Sequence, residues 1–169
     1  TQETNLPAKG FSQELIFSSS RPGPWRWSTG AMYRDSDDRL GFFIENFNVV
    51  HYWDKRTSQS YAVFGELSRR FADGRFELTA GLRYFEDDIL QREVSRSNGN
   101  QSQLNRDEAE FNATTPRLVA TWHPREQMTF YASYAEGFRS GSVQSLSLLA
   151  LGVPIPPADP DSLKNYEVG

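Results

Sequence analysis

The chain has no cysteine, which excludes disulfide bridges, thiolate metal sites and cysteine nucleophiles. It also lacks any apolar run of about 18 residues, so the sequence predicts no membrane-spanning helix. Only two histidines occur, and neither an EF-hand spacing nor a phosphate-binding glycine loop is present. The formal net charge of −4 gives no electrostatic reason to expect a nucleic-acid partner. The sequence therefore predicts no metal site, no cofactor and no catalytic constellation.

Aromatic residues, in contrast, make up 14% of the chain. Phe, Tyr and Trp are typical of β-strands and of the girdles where a β-barrel meets the membrane surface. Charged residues reach 24% and hydrophobic residues 37%, a profile that would normally indicate a soluble protein. A membrane β-barrel has a similar average composition, because its strands alternate lipid-facing and lumen-facing residues. Composition alone leaves both classes open.

Several segments alternate strictly between apolar and polar residues, which indicates strands and not helices. In Phe76–Tyr84 the apolar residues share one face, and Glu77 and Arg83 lie on the other. Turning this strand over would place both charges in hydrocarbon, at a cost of roughly 2–4 kcal/mol for the arginine. The alternation predicts that the following side chains face lipid: Trp25, Trp27, Tyr33, Tyr61, Val63, Leu67, Phe76, Leu78, Leu82, Tyr84, Leu118, Trp122, Phe130 and Tyr134.

Short and long connections alternate along the chain. The short ones, rich in turn formers, are Ser19–Pro24, Phe71–Arg75 and His123–Gln127. The long polar stretches between them, which we interpret as loops, are Asp35–Ser58, Gln91–Phe111 and Arg139–Asp161. This is the layout of an antiparallel up-and-down transmembrane β-barrel, with short periplasmic turns and long extracellular loops. We expect an all-β segment of about seven strands that does not close on its own, as part of a single barrel domain over residues 1–169.

Specific segments add a family resemblance to this pattern. Phe11–Phe17 (FSQELIF) with Trp25–Tyr33 (WRWSTGAMY), and Tyr61–Leu67 (YAVFGEL) with Phe76–Tyr84 (FELTAGLRY), resemble hairpins of TonB-dependent receptors. Thr129–Gly141 (TFYASYAEGFRSG) and Asp159–Gly169 (DPDSLKNYEVG) are similar to later strands of the same family, in the same order. The resemblance covers nearly the whole chain, and the long polar stretches match least.

The resemblance implies a bacterial outer-membrane receptor that imports a scarce nutrient such as a ferric siderophore, and that is not an enzyme. Its implied partners are outer-membrane lipid, the small-molecule ligand, the remainder of its own barrel and plug, and the TonB complex, which is reached through the plug. The sequence shows neither a plug domain nor a signal peptide, so we expect that this segment does not transport a ligand alone.

Ligand contacts are expected in the long polar stretches. His51, Tyr52 and Trp53 form an aromatic patch that would suit stacking, hydrogen bonding or iron ligation. Packing within a loop, or a place in an interfacial aromatic belt, is the competing interpretation of this patch. For Arg139 three roles are open: contact with an anionic ligand, with lipopolysaccharide phosphate, or with a neighbouring carboxylate.

Two other classes of function compete with the receptor. A secreted β-sandwich module would use exposed aromatics such as Trp25 and Trp27 to bind carbohydrate. A β-rich hydrolase would use two of the acidic residues in the polar stretches, although these carboxylates are more simply explained as solvated. Strands long enough to cross a bilayer and the sorted connection lengths favour the barrel over both.

Overall fold

The computed structural model describes residues 2–44, 50–97, 100–143 and 158–169. Within these ranges the chain forms one open antiparallel sheet, and no helix that could cross a membrane is found there. The strands are β1 (Gln2–Asn5), β2 (Ala8–Ser18), β3 (Trp25–Ile44), β4 (Val50–Phe71), β5 (Phe76–Ser97), β6 (Asn100–Arg125), β7 (Met128–Arg139) and β8 (Asp161–Val168). Their order from β3 to β8 follows the chain, so the predicted up-and-down topology is confirmed.

The first two strands occupy one position in the sheet, because both pair with β3. The interruption falls at Leu6 and Pro7, where proline has no N–H to donate to the ladder. The Pro7 carbonyl still accepts a hydrogen bond from the Arg39 backbone N–H at 3.0 Å, so the strand resumes in register. Counted by position, the described sheet has seven strands, as the sequence predicts.

The turn between β4 and β5 fixes the register of the central hairpin. Ala72, Asp73 and Gly74 have positive φ angles of 50°, 54° and 87°. The Gly74 N–H donates to the Phe71 carbonyl at 3.0 Å, and the Arg75 N–H donates to the Ala72 carbonyl at 3.1 Å. Positive φ angles match the right-handed twist of paired strands, and aspartate and glycine tolerate them well. A tight turn of this kind brings the two strands back together at once.

The strands are much longer than the sequence predicts. The interpretation of Asp35–Ser58 and Gln91–Phe111 as loops is wrong: β3 continues to Ile44 and β4 begins at Val50, while β5 continues to Ser97 and β6 begins at Asn100. Polar side chains occupy both faces of these strands while the backbone stays hydrogen-bonded, a state that apolar alternation does not reveal. Of the third stretch, Arg139–Asp161, the part 144–157 lies outside the described residues.

Cross-strand partners place most of the large apolar side chains on one face, which we call the apolar face. The predicted lipid-facing residues all share it, and most of them are exposed. Two aromatic clusters lie toward its two ends: Phe11, Tyr33 and Tyr61 at one, and Phe76, Trp122 and Phe130 at the other. About ten residues at ~3.3 Å each, tilted by ~40°, span ~25 Å, the height of a barrel's apolar band.

The opposite face, which we call the polar face, carries the charged partners of the same strands. Glu77 accepts hydrogen bonds from Arg70, at 2.9 Å, and from Arg26, and Glu66 pairs with Arg117. No second sheet covers the apolar face among the described residues, because all their named strands belong to one sheet. The β-sandwich alternative, which needs two packed sheets, therefore finds no support.

Candidate functional site

A cavity of about 810 Å³ opens on the polar face, in the half of the strands that is remote from the short turns. The floor of the cavity is formed by side chains of neighbouring strands, because cross-strand partners point to the same side of the sheet. Arg34 lies opposite Ser60, which lies opposite Asp87, and Asp38 lies opposite Arg56. The lining side chains are Arg34, Ser36, Asp38, Arg56, Ser58, Phe85, Asp87, Phe138, Arg139, Ser140, Ser142, Asp159 and Asp161.

One wall of this polar-face cavity is a segment that we call the inner strap, residues 138–143. β7 pairs with β6 as far as Ala135, opposite Arg117, and beyond this point the strap lies over the polar face. The Phe138 ring lies 5.9 Å from that of Phe85, and Val143 is buried. Gly141 packs against Phe111 so closely that a Cβ atom would come within 2.9 Å of its ring. The strap thus needs glycine at this approach.

Asp87 ties the strap to the floor of the cavity. Its Oδ1 accepts hydrogen bonds from the hydroxyls of Ser58 at 2.6 Å and Ser60 at 2.8 Å. Burial raises the pKa of Asp87, but hydrogen bonds from Ser58, Ser140 and Ser60 and the charge of Arg34 outweigh it, so the net pKa is lowered. The carboxylate is therefore ionised at neutral pH and holds three strands and the strap in one network.

A second carboxylate, farther along β4, has the opposite environment. Asp54 lies directly across from the buried Glu93, and its Oδ2 accepts a hydrogen bond from Gln91 at 2.8 Å. Burial, and then the negative charge of Glu93, raise the pKa of Asp54 above its ordinary value, although Gln91 and Arg56 oppose the shift. Among the described residues no group of three or more His, Cys, Asp or Glu side chains could hold a metal ion.

Two of the four predicted ligand residues, Arg139 and Trp53, lie on opposite faces of the sheet. Arg139 lines the polar-face cavity, where its guanidinium pairs with Asp161 on β8. Trp53 shares the face of Lys55, on the apolar side of the sheet, where its ring covers Gly41. His51 and Tyr52 belong to β4, opposite Phe43 and Phe42, and their side chains lie outside the described part of the structure. A ligand contact by any of the four stays a prediction.

The cavity floor was missed from the sequence because Arg34, Ser36, Arg56 and Ser58 fall at the edge of a supposed loop. A usable signal exists in the pairing of Tyr33 with Tyr61. Extending that register by one residue pairs Arg34 with Ser60, and by three residues pairs Ser36 with Ser58. His123 falls in the predicted short connection His123–Gln127 but lies in β6, which continues to Arg125, and its Nδ1 makes a hydrogen-bond contact with Thr129 Oγ1 at 2.9 Å.

A known protein family matches nearly the whole chain. A family model described as TonB dependent receptor-like, beta-barrel, matches residues 3–169. No curated protein matches the chain in a sequence search.

Solved structures share the fold of the chain. The ferric yersiniabactin uptake receptor FyuA from Yersinia pestis matches 99% of the chain and 27% of its own length, with a TM-score of 0.74 and 17% identity. The ferric preacinetobactin receptor BauA from Acinetobacter baumannii also matches 99% of the chain and 27% of its own length, with a TM-score of 0.60 and 17% identity. The ferric citrate transporter FecA in its unliganded form matches at a TM-score of 0.53 and 12% identity, over 96% of the chain and 32% of its own length. The chain thus spans about a third or less of each of these proteins.

Proposed function

Because the chain belongs to the TonB-dependent receptor β-barrel family, we propose that it forms neighbouring strands in the wall of a nutrient receptor of the bacterial outer membrane. The apolar face would meet lipid, and the polar face would line the barrel interior. The edges at β1–β2 and at β8 would pair with further strands of the same barrel, which removes the exposed edges. The barrel as a whole would be closed by a plug and energised through the TonB complex.

The polar-face cavity is the feature of the structure that best supports a role in ligand uptake. It lies beyond the apolar band, at the end of the sheet that is remote from the short turns. Short turns lie on the periplasmic side in outer-membrane barrels, so the cavity would open at the extracellular mouth of the lumen. A ligand arriving from outside would meet it before reaching the plug.

The lining of the cavity suits an iron(III) chelate that has both oxygen acceptors and apolar parts. Arg34 and Arg56 offer guanidinium donors for carboxylate, hydroxamate or catecholate oxygens, and the rings of Phe85 and Phe138 offer an apolar wall. The structural neighbours are named for ferric yersiniabactin, ferric preacinetobactin and ferric citrate, each a compound of iron(III). A ferric siderophore is therefore the ligand class that we propose.

The test uses the intact receptor that contains these strands, with a panel of ferric siderophores of the three oxygen-donor types. Binding is measured by quenching of intrinsic fluorescence, and uptake by accumulation of radioactive iron in cells. We expect Arg34→Gln with Arg56→Gln to weaken the binding of the preferred chelate about tenfold or more. Each hydrogen bond to a charged group contributes on the order of 1.5–3 kcal/mol, which sets this scale.

The matched control is Arg75→Gln, a neutralisation in the β4–β5 turn at the other end of the sheet. It should leave the affinity unchanged. Equal loss in both variants would show that net charge, and not the cavity, governs binding. Absence of binding and of uptake for every chelate in the panel would reject the siderophore assignment.

The same proposal decides which residues we assign to catalysis and which to ligand contact. The family is one of transport receptors and not of enzymes, so we assign no catalytic role to the carboxylates of the cavity. His51, Tyr52 and Arg139 remain candidates for contact with the chelate. Trp53 is left out of the lumenal set, because its ring lies over Gly41 on the apolar side of the sheet.

A further inference from the structure

Four adjacent strands each place a cation at the same level on the apolar side of the sheet. Arg39 of β3 lies opposite Lys55 of β4, Lys55 lies opposite Arg92 of β5, and Arg92 lies opposite Arg106 of β6. We call these four residues the cation row. Arg92 is exposed, whereas its chain neighbours Gln91 and Glu93 are buried on the polar face. The cation row therefore points away from the polar-face cavity.

Such a row opposes the stability of the sheet. Like charges directly opposite each other on paired strands repel, and here this happens at three successive pairs. Two carboxylates compensate in part: Asp37 pairs with Lys55 at 2.7 Å and with Arg39 at 3.2 Å, and Glu108 pairs with Arg106. Among the described side chains of this strip, four cations and two carboxylates give a net positive charge. Its side chains are open to the surroundings, with exposures of 51% for Arg39, 39% for Lys55 and 52% for Arg106.

The height of the cation row above the apolar band limits which molecules could bind it. Arg39 is about six residues beyond Tyr33 of the aromatic cluster, which is ~20 Å along the strand and ~15 Å in height at a tilt of ~40°. The polar headgroup layer of a bilayer is only about 5–8 Å thick on each side. An acidic row of Asp35, Asp88 and Glu110 lies between the apolar band and the cations, at the register of Gln59. A phospholipid headgroup would meet this acidic row and not the cations.

We propose that the cation row binds the phosphorylated core saccharide of lipopolysaccharide, the glycolipid of the outer leaflet. The inference rests on the proposed location in the outer membrane. Saccharide extends above the membrane surface to the height of the row, and its phosphate groups supply the negative charge that a positive strip facing outward attracts. Each arginine fork can hold a phosphate through two parallel hydrogen bonds. The site would fix part of the lipid layer against the outside of the barrel, separate from ligand uptake through the interior.

The experiment compares intact receptors in bilayer discs containing lipopolysaccharide with its core phosphates either present or removed. The test variant is the triple change Arg39→Gln, Arg92→Gln and Arg106→Gln, which leaves the Lys55–Asp37 pair in place. The measurement is the amount of glycolipid retained through a wash of rising salt concentration. We expect the unaltered receptor to retain phosphorylated glycolipid. The test variant should retain at least tenfold less of it. Retention of the dephosphorylated glycolipid should be low in both.

Two further variants separate charge from folding. The triple change Arg21→Gln, Arg75→Gln and Arg125→Gln removes the same charge at the end with the short turns and should retain glycolipid normally. Replacing Arg39, Arg92 and Arg106 by lysine keeps the charge and should restore most of the retention. Equal retention of the two glycolipids by the unaltered receptor, or an equal loss of glycolipid in the control variant, would each overturn the proposal.

Iron uptake measured in the same variants keeps the two proposals distinct. Neutralising the cation row should leave chelate binding unchanged, because the row and the cavity lie on opposite faces. Failure of every chelate to bind would reject the siderophore function while leaving the glycolipid result standing. Loss of chelate binding together with glycolipid in the test variant would reject the separation that we propose.

Discussion

The two halves of the long hairpins share one continuous backbone ladder and differ in their side chains. In Trp25–Tyr33 apolar residues alternate with polar ones, and the apolar face is exposed hydrocarbon. In Arg34–Arg39, the next residues of β3, every side chain on both faces is polar, yet the pairing with β4 continues without a shift. The hydrogen-bonded ladder is therefore indifferent to polarity, and the side-chain pattern decides which half suits lipid and which suits water.

The sharpest way to break this comparison is to place the same charge in both halves of one strand. Leu82 and Leu90 lie on the same side of β5, the first in the apolar band and the second beyond it. We expect Leu82→Arg to reduce the free energy of unfolding in lipid vesicles by roughly 2–4 kcal/mol, because the charge enters hydrocarbon. Leu90→Arg should change it by less than about 0.5 kcal/mol. Urea titration of the intact receptor measures both.

Similar losses for the two leucine variants would mean that the boundary between lipid and water lies beyond Leu90. Similar gains or no effect would mean that the apolar face of β5 does not meet lipid at all, and the assignment of that face would then be wrong.

Two glycines test whether the halves differ in rigidity. Each lies opposite an aromatic residue of β4: Gly30 faces Phe64, and Gly41 faces Trp53. A Cβ atom at Gly30 would come within 2.5 Å of both the Leu15 carbonyl oxygen and the Phe64 ring, whereas the three atoms nearest to a Cβ at Gly41 all belong to the Trp53 ring. We expect Gly30→Ala to cost about 1–3 kcal/mol, since the backbone must move. Gly41→Ala should cost less, because the tryptophan ring can rotate away.

The glycine pair is measured by the same urea titration, with the emission wavelength of tryptophan as a second signal. A shift in emission for Gly41→Ala without a change in stability would confirm that the ring moves. Equal destabilisation by both substitutions would contradict the difference in rigidity.

The outer half is the part of the hairpins that is remote from the short turns. It is stabilised by contacts between polar side chains, and their strength depends on pH. The pKa of Asp87 is lowered in the folded chain, so its stabilising effect is present above the unfolded-state pKa of ~4 and disappears as pH falls through the folded-state value. The pKa of Asp54 is raised, so its ionisation begins to oppose folding above the unfolded-state pKa of ~4 and opposes it fully above the folded-state value. The two carboxylates should therefore respond to amidation with opposite signs.

At about pH 7 we expect Asp87→Asn to cost about 1 kcal/mol and Asp54→Asn to add a few tenths of a kcal/mol. Each effect should disappear once the pH is below both the folded-state and the unfolded-state pKa of that carboxyl, where it is protonated in both states. Stability curves against pH for the three proteins measure this, and destabilisation by Asp54→Asn at neutral pH would refute the assigned environment.

The same comparison explains what was predictable from the sequence. In the apolar band, a strand that meets lipid on one side must alternate apolar and polar residues. The sequence of Phe76–Tyr84 therefore indicates both the strand and the side of it that faces lipid. In the outer half water accepts every polar residue, so Asp35 and Arg56 carry no local sign of being in strands. The inner strap is equally invisible, because its position depends on Phe85 and Phe111, which are remote in the chain. Register is the missing information, and it comes from the turns.

The smallest expected effect concerns the turn that transmits register to both halves. Ala72 has φ of 50°, a left-handed conformation that costs a residue with a Cβ atom roughly 1–2 kcal/mol. Ala72→Gly removes that strain but adds about 0.4–1 kcal/mol of chain entropy to the unfolded state, so we expect a net gain of about 0.5 kcal/mol. Asp73→Gly should gain less, since aspartate tolerates this conformation. Because every cross-strand pair from Phe71–Phe76 onward follows from this turn, the gain should raise the stability of the apolar band and of the outer half together in hydrogen exchange. Protection confined to the band would show that the two halves unfold separately.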